Sequence, residues 1–595
     1  MKLPYGNADF YKIITEDYVY IDRTDKIQWI EKAGETLLFL RPRRFGKSLL
    51  VSMLENYYDV AKAQQFEKLF GHLAIGTNPT EKHSQYLILK WNFSMVQTYG
   101  DITEIRNALH DHLNGGIRDF AIRYKSILSE QIEINRDNAS SSLMSALSSA
   151  QTTPYKIYLL IDEYDNFANE VLMAGESDSQ ERYHRLIEGE GMLKTIFKAI
   201  KAGTEGRGID RVFITGVSPV VMSDLTSGFN IATNIYLEPE FNDLCGFWES
   251  EVAERLYQIA KECNLPPQKA KEALEIMRSF YNGYSFTYQQ MPLIYNPTLV
   301  LYFMEHFNRR CEYPRRILDS NLAMDKGKIT YISMLPHGDA VVKNALSEEQ
   351  PLAIAEIADR FGVKEMLFAV KDNSFMVSLL YYFGVLTLTD KETDYGELIF
   401  KIPNLVIRKL YVERLQEMFL PRFEELDRAQ RVARVFSQTG DMQPLCDFME
   451  DYYFKVFDNR DYRLSNELTI KTAFLTLLFN DVFYIMDSET ALERGYADLT
   501  MIVRPDMRRY KLLDILIEFK YLNLSDSGLK SSEIKSKGID ELKSLASVQE
   551  QLTESKAQLA QYQKGLEAKY GEVLRLRIYS VVALGFERLV WFRVD

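Results

Sequence analysis

The chain has 595 residues, a net charge of −13, and 46% hydrophobic and 12% aromatic residues. That composition excludes global disorder and supports several cores, about three to four domains at this length. The acidic balance excludes a general nucleic-acid coat protein, and the absence of any apolar run of ~18 residues excludes a membrane partner.

The first residues, Met1-Lys2-Leu3-Pro4-Tyr5-Gly6-Asn7, lack an apolar signal core. Cys245, Cys263, Cys311 and Cys446 show no metal-ligand spacing. The expectation is a cytoplasmic protein with reduced thiols and no disulfide. Residues 501–595 carry 16 Lys and Arg against 13 Asp and Glu, a balance of +3. That permits nucleic-acid contact near the C-terminus.

Along residues 1–240, strand-like stretches at 36–40, 85–93, 157–162, 211–216 and 234–237 alternate with helical ones. Such alternation predicts a parallel sheet flanked by helices. Between the first strand and the next helix stands Arg41-Pro42-Arg43-Arg44-Phe45-Gly46-Lys47-Ser48. Gly-Lys-Ser in that context is a phosphate-binding loop, whose backbone N–H groups and helix dipole attract phosphate oxygens. Arg43, Arg44, Phe45, Gly46, Lys47, Ser48 and Leu49 are the candidate nucleotide contacts. Lys47 would reach the β- and γ-phosphates, and Ser48 would hold magnesium. Arg41 stands where the first glycine of this motif is usual.

The run Ile157-Tyr158-Leu159-Leu160-Ile161-Asp162-Glu163 ends in two carboxylates. Asp162 fits the magnesium ligand of ATP, and Glu163 the residue that polarises the attacking water. Read without Lys47 and Ser48, the pair is a buried strand capped by its turn. Thr215, at the end of the fourth strand, either senses the γ-phosphate or is a packed β-branched residue. The serine-rich patch at 139–145 is expected to end a helix or form a loop.

From about residue 249 to 436 the pattern is mainly helical, with Glu249–Glu262 as one helix and 267–280 as the next. Around 378–402 a helix runs into two strands that stop at Pro403-Asn404, which suits a winged-helix or lid module. Further on, Gly495-Tyr496-Ala497-Asp498 opens a strand, and residues 511–520 form another that ends Glu518-Phe519-Lys520. Glu518 and Lys520 share one strand face. With Asp498 beside them they make an Asp…Glu-x-Lys set, in which carboxylates hold magnesium and the lysine positions water. Glu467 is a candidate third carboxylate, and Ala557–Tyr562 lie on a helix whose amides would orient the site. Residues 524–547 read as a polar insertion. The plainer reading takes Lys520 as a solvated edge residue partnered by Glu518.

Several of these segments coincide with one family. The chain resembles the bacterial and archaeal AAA-ATPase-like proteins that carry a C-terminal PD-(D/E)XK nuclease-like domain. The matching pieces include Leu3-Pro4-Tyr5-Gly6, Tyr20-Ile21-Asp22-Arg23-Thr24, the Arg41–Ser48 loop, Leu160–Asp165 and Thr215-Gly216-Val217-Ser218. They continue through Leu244-Cys245-Gly246-Phe247, Tyr281-Asn282-Gly283-Tyr284, Tyr295-Asn296-Pro297 and Pro403-Asn404 to Asp498 with Glu518-Phe519-Lys520. The glycine-poor phosphate loop looks like the family's own variant. Arg23 departs from the more usual lysine, and Gly-Tyr-Ala-Asp from Gly-Arg-x-Asp.

The resemblance implies an α/β chain in three parts. Residues 1–245 would be a P-loop ATPase core, 246–450 a helical, winged-helix-like region, and 455–595 a restriction-endonuclease-like domain. It implies ATP and Mg2+ as cofactors and nucleic acid, DNA first, as the partner. The ATP state would regulate a magnesium-dependent nuclease. The alternative is an ATPase switch whose nuclease-like domain only binds nucleic acid or protein. Arg43, Arg44 and Arg211 are equal candidates for an arginine finger. A homo-oligomer is open, since a neighbouring subunit often completes such ATP sites.

Overall fold

The computed structural model describes residues 1–97, 101–166, 191–220, 229–318, 326–346, 351–359, 361, 371–457, 467–487, 490–492 and 495–594.

The N-terminal sheet contains β1 (Thr36–Leu40), β2 (Tyr86–Asn92), β3 (Lys156–Asp162), β4 (Ile209–Gly216) and β5 (Thr233–Asn234). Its order is β2-β3-β4-β1-β5 and every pairing is parallel. All five residues of β1 are buried, as are the last six of β3. A parallel sheet is covered on both faces, which is why these strands read as unbroken apolar runs. Helices α1 (Lys47–Tyr58), α2 (Ile102–Arg123), α3 (Ala139–Gln151) and α4 (Met192–Thr204) connect and cover them.

The serine-rich patch begins α3 rather than ending a helix. Asn138 caps it by accepting from the Ser141 amide, while Ser142 and Ser149 donate to the carbonyls of Asn135 and Glu130. β5 lies earlier than residues 234–237, because the Tyr236 carbonyl leaves the ladder to accept from Arg41.

The middle region holds α5 (Glu249–Glu262), α6 (Pro267–Tyr281) and α7 (Pro297–Arg310). Cys263 and Cys311, which follow α5 and α7, form a disulfide with S–S 2.17 Å and Cα–Cα 5.6 Å. This corrects the expectation of four reduced thiols and removes the thiol argument for a reducing compartment. Cys245 and Cys446 are free and buried. Next, β6 (Leu352–Ile354), β7 (Thr387–Glu392) and β8 (Leu398–Lys401) form an antiparallel sheet in the order β6-β8-β7, with α8 (Asn373–Tyr382) leading into β7. Helix plus small sheet is the winged arrangement. Helices α9 (Leu405–Phe419) and α10 (Phe423–Thr439) follow.

The C-terminal part starts with α11 (Glu467–Leu478) and β9 (Tyr484–Asp487), then the hairpin β10 (Thr490–Leu492) and β11 (Gly495–Ala497). β12 (Leu499–Val503), β13 (Asp514–Leu522), β14 (Leu576–Leu584) and β15 (Arg588–Arg593) complete a mixed sheet in the order β15-β14-β13-β12-β9. β13 and β14 are parallel, so a crossover is required, and α12 (Ala546–Tyr570) supplies it. β13 starts at Asp514 rather than residue 511, since the buried Asp514 carboxylate accepts from the Val503 and Arg575 amides.

The polar segment after β13 is folded, against expectation. It contains three short helices, and Ile534, Leu542 and Val548 pack with Leu522, Val582, Leu584 and Val590 into an apolar cluster. Among the described residues no helix is long and apolar enough to cross a membrane.

Candidate functional site

β1 delivers the chain into the phosphate loop, and α1 begins at Lys47. Gly46 holds φ 91°, and an added Cβ would meet nothing within 4 Å, so its requirement is backbone conformation rather than space. Lys47 is buried, and its Nζ donates to the carbonyls of Arg41 and Pro42 at 2.9 Å each. Burial lowers the Lys47 pKa, against the opposing pull of Glu163 and Asp162. The lysine is therefore folded onto its own loop, beside the carboxylates.

Asp162 ends β3, and its Oδ1 accepts from the Thr215 hydroxyl at 2.6 Å across β4. Glu163 has a strained positive φ of 53°, and its N–H donates to Thr215 Oγ at 3.3 Å. Burial raises the Glu163 pKa, with Asp162 and Asp165 adding to it and Lys47 opposing. Asp165 in turn accepts from the Val217 and Ser218 amides and the Ser218 hydroxyl.

Two cavities meet at Ser48. One, of about 530 Å³, runs from Lys47, Ser48 and Glu163 to an apolar end that includes Leu3, Tyr5, Ile21, Phe247 and Met304. The other, of about 560 Å³, is polar and takes in Ser48, Asp162, Lys90 and Arg123. Of the sequence candidates, Arg44, Phe45, Gly46, Lys47, Ser48, Leu49 and Glu163 face the first cavity, and Ser48 and Asp162 the second. Thr215 lines neither and is fully buried, held against Asp162. Arg43 donates to Asn166 at 2.6 Å. Arg211 is at the start of β4, the end of the sheet away from the loop, and donates to the carbonyls of Ile30 and Gly34. That location removes it from the arginine-finger candidates of this site.

Sequence reasoning missed the apolar end of the first cavity. Leu3–Gly6, Tyr20–Ile21 and Leu244–Phe247 carried the family resemblance without a role, and they form that wall. Arg41 also finds its reason here. Its guanidinium donates to the carbonyls of Leu40, Tyr236 and Phe241 and stacks over Phe39 and Phe286 at 4.5 and 4.1 Å. Burial holds its pKa down to about 10. The arginine braces the loop from behind, where no phosphate reaches. Arg23 forms a two-pronged pair with Glu251 at 2.7 and 2.8 Å, a fork that lysine could not make.

In the C-terminal part, pairing of Leu499 with Ile517 brings Asp498, between β11 and β12, beside β13. Asp498 Oδ2 accepts from the Phe519 amide at 2.8 Å, and its Oδ1 is 3.4 Å from Lys471 Nζ. Glu518 is 3% exposed; its Oε1 is 3.4 Å from Lys520 Nζ and its Oε2 has no hydrogen-bond partner. Burial, then the Asp498 charge, pushes the Glu518 pKa up to about 8. Burial alone would lower Lys520, but Glu467, Glu518 and Asp498 raise it. Glu467 opens α11 close enough to act on both groups electrostatically.

Lys471, one turn further along α11, is the residue the sequence reading missed. Its signal was a single charge inside the apolar run Ile470–Leu478. On α12, Gln558 Oε1 is buried without a partner, and burial, then the Glu518 and Asp498 charges, raise the pKa of the Tyr562 hydroxyl.

Among the described residues, no group of three or more His, Cys, Asp or Glu side chains converges to hold a metal. The donor set still fits a divalent cation. An orphaned buried carboxylate oxygen on Glu518 beside Asp498 is an unmet demand for positive charge, and magnesium is often held by one or two carboxylates plus water.

Residues 4–226 match the family described as Predicted AAA-ATPase, and residues 465–584 match the PD-(D/E)XK nuclease superfamily. The chain pairs these two parts. The AAA-ATPase-like stretch contains the phosphate loop, Asp162, Glu163 and Thr215, and the nuclease-like stretch contains Glu467, Lys471, Asp498, Glu518 and Lys520. The "Uncharacterized protein in vnfD 5'region" of Azotobacter chroococcum mcd 1 is 22% identical over 90% of this chain and 92% of its own length. A solved structure of the Aeropyrum pernix Orc1 protein in complex with DNA covers 68% of this chain and 96% of its own, at 12% identity and a TM-score of 0.23. That score is too low for the likeness to carry an argument.

Proposed function

We propose that the chain binds and hydrolyses ATP, and that its nucleotide state regulates a magnesium-dependent nuclease in the C-terminal part acting on nucleic acid, DNA first. The observation that carries this reading is continuous packing from the phosphate loop to the nuclease helix. Phe45 packs edge-on against Tyr284 and Phe286, at ring distances of 4.8 and 5.2 Å. The neighbouring Gly283 lies so close to Pro403 that a Cβ would come within 1.9 Å of its carbonyl oxygen. Asn404 donates to the Asn282 carbonyl and caps α9. α9 then meets the nuclease part through Lys409 with Asp481 at 3.0 Å and Gln416 on the Thr476 carbonyl of α11. A shift of Phe45 on nucleotide binding thus has packed elements to move, ending at the helix that carries Glu467 and Lys471.

In the ATP step, Lys47 leaves its loop carbonyls for the γ-phosphate and stabilises the charge that develops there. Glu163 takes the proton of the attacking water as the bond to the leaving ADP breaks. Ser48 and Asp162 would hold magnesium, and so would Asp498 and Glu518 in the nuclease part. When bound, the ion neutralises phosphate charge and makes water a better nucleophile. Lys520 positions that water in the nuclease step.

A second reading, a nuclease-like domain that binds without cutting, draws on Lys471 beside Asp498 and on Glu518, whose pKa near 8 keeps it largely protonated at neutral pH without metal.

The test is cleavage of single- and double-stranded DNA and of RNA, with and without ATP and magnesium. Glu518→Ala should abolish cleavage, and Lys47→Ala should abolish its response to ATP. Wild-type cleavage that ignores ATP would refute the regulatory claim, and cleavage surviving Glu518→Ala would refute the site.

A further inference from the structure

The cavity that starts at the phosphate loop continues along α5 and α7. Those helices begin side by side, where Phe247 and Tyr295 exchange backbone hydrogen bonds, and end joined by Cys263 and Cys311. They therefore run in the same direction, away from the loop that Thr298 touches through the Arg44 carbonyl. Arg255, six residues into α5, and Met304, seven into α7, both line the cavity. At 1.5 Å per residue they lie about 10 Å beyond the start of the helices.

The charged groups at this end differ in what they have left to give. Arg23 spends all five N–H groups, on Glu251 and on the carbonyls of Asp22, Asp243 and Gly246. Glu251 spends both oxygens on that fork and one of them again on the Trp248 amide. Arg255 places its Nη1 3.2 Å from Gln258 Oε1 and 3.4 Å from the carboxylate of Glu254, an exposed residue. Its Nε is buried and has no hydrogen-bond partner. A buried N–H left unpaired is costly, and in a cavity wall an acceptor on a ligand removes that cost.

This inference rests on the ATP reading above. With the phosphates at Lys47 and Ser48, the base is the part of the nucleotide that extends to the apolar end, its flat faces against side chains such as Leu3, Tyr5 and Met304. A guanidinium only donates, so it reads an accepting ring nitrogen, and adenine carries these at N1, N3 and N7. We propose that Arg255 is the base-reading residue of the nucleotide site, its Nε–H donating to a ring nitrogen of adenine. The base is then selected by α5, a helix outside the stretch that matches the AAA-ATPase family.

The experiment measures the affinity of the full chain, with magnesium, for ATP, for tripolyphosphate and for 1-, 3- and 7-deaza-ATP, each of which lacks one ring nitrogen. One of the three analogues should bind wild type roughly tenfold or more weaker than ATP. Arg255→Met should weaken ATP to that same level, bind that analogue no worse than it binds ATP, and hold tripolyphosphate as tightly as wild type does.

Three analogues that all bind wild type as ATP does would overturn the proposal without recourse to any variant. Equal weakening of ATP and tripolyphosphate in Arg255→Met would also overturn it and make Arg255 a brace of the cavity wall. A wild-type chain that binds neither ATP nor tripolyphosphate would overturn the nucleotide reading itself, so the two failures are distinguishable.

Discussion

The carboxyl of Glu518 should make the C-terminal part lose stability as pH rises in the absence of metal, and Glu518→Gln should remove that dependence. In the folded chain burial and Asp498 push its pKa from 4.5 to about 8. A raised acid pKa means that the native state holds its proton more tightly than the unfolded chain. The contribution is therefore fully present below pH 4.5, declines as the unfolded chain ionises above it, and is lost by about pH 8. At about 1.4 kcal/mol per pH unit, the span caps the loss at about 5 kcal/mol. Relaxation of the site around the ionised carboxyl reduces this, so about 2–4 kcal/mol is expected. Hydrogen exchange of β13 in EDTA, read from pH 5 to 9, measures the local opening free energy. The glutamine variant should match wild type at low pH and exceed it increasingly towards pH 8. A constant offset between the two across that range would refute the assignment of a buried, repelled carboxyl at this position.

Lys47→Ala should weaken nucleotide binding and nearly abolish hydrolysis, whereas Glu163→Gln should retain binding and slow hydrolysis by ~100-fold or more; equal loss of affinity in both would contradict these roles. Arg41→Gly restores the glycine usual in such loops, yet it should destabilise the N-terminal part by at least ~3 kcal/mol, since three carbonyls lose their donor and two rings their cation. Thermal unfolding with and without ATP checks it, and a variant as stable as wild type would show the brace to be dispensable. Leu542→Ala should cost about 2–4 kcal/mol locally and speed protease cutting between residues 523 and 545, where the wild-type chain resists; wild-type cleavage there at the variant's rate would argue against the apolar cluster.

The parts of the fold that were legible in the sequence are those set by local pattern. β1 and β3 are apolar runs because both faces of the sheet are covered, and Gly46-Lys47-Ser48 and Asp162-Glu163 fall at their ends. What escaped depends on partners far away in the chain. The purpose of Arg41 is fixed by carbonyls at Tyr236 and Phe241 and by the ring of Phe286. Cys263 and Cys311 meet only because α5 and α7 end side by side, 48 residues apart. The segment after β13 looked polar throughout, since only a few residues such as Ile534 and Leu542 anchor it. Lys471 was missed for the opposite reason: a lone lysine in an apolar helix passes for a surface residue until Asp498 is placed beside it.

The helices before residue 455 matter to anyone who would isolate the C-terminal part. Ser437 and Gly440 accept bonds from Leu513 and Tyr579, Gln443 accepts from Trp591, and Glu450 binds both the Leu589 amide and the Arg588 guanidinium. A fragment cut at 455 would strip β13, β14 and β15 of all these partners and bare the sheet face that Phe436 covers through Tyr579. Such a piece would be prone to aggregate and could be mistaken for an inactive domain. A fragment beginning ahead of Phe423 would keep α10 and the helix from Gln443 to Phe448 in place, and so give the isolated sheet its native cover.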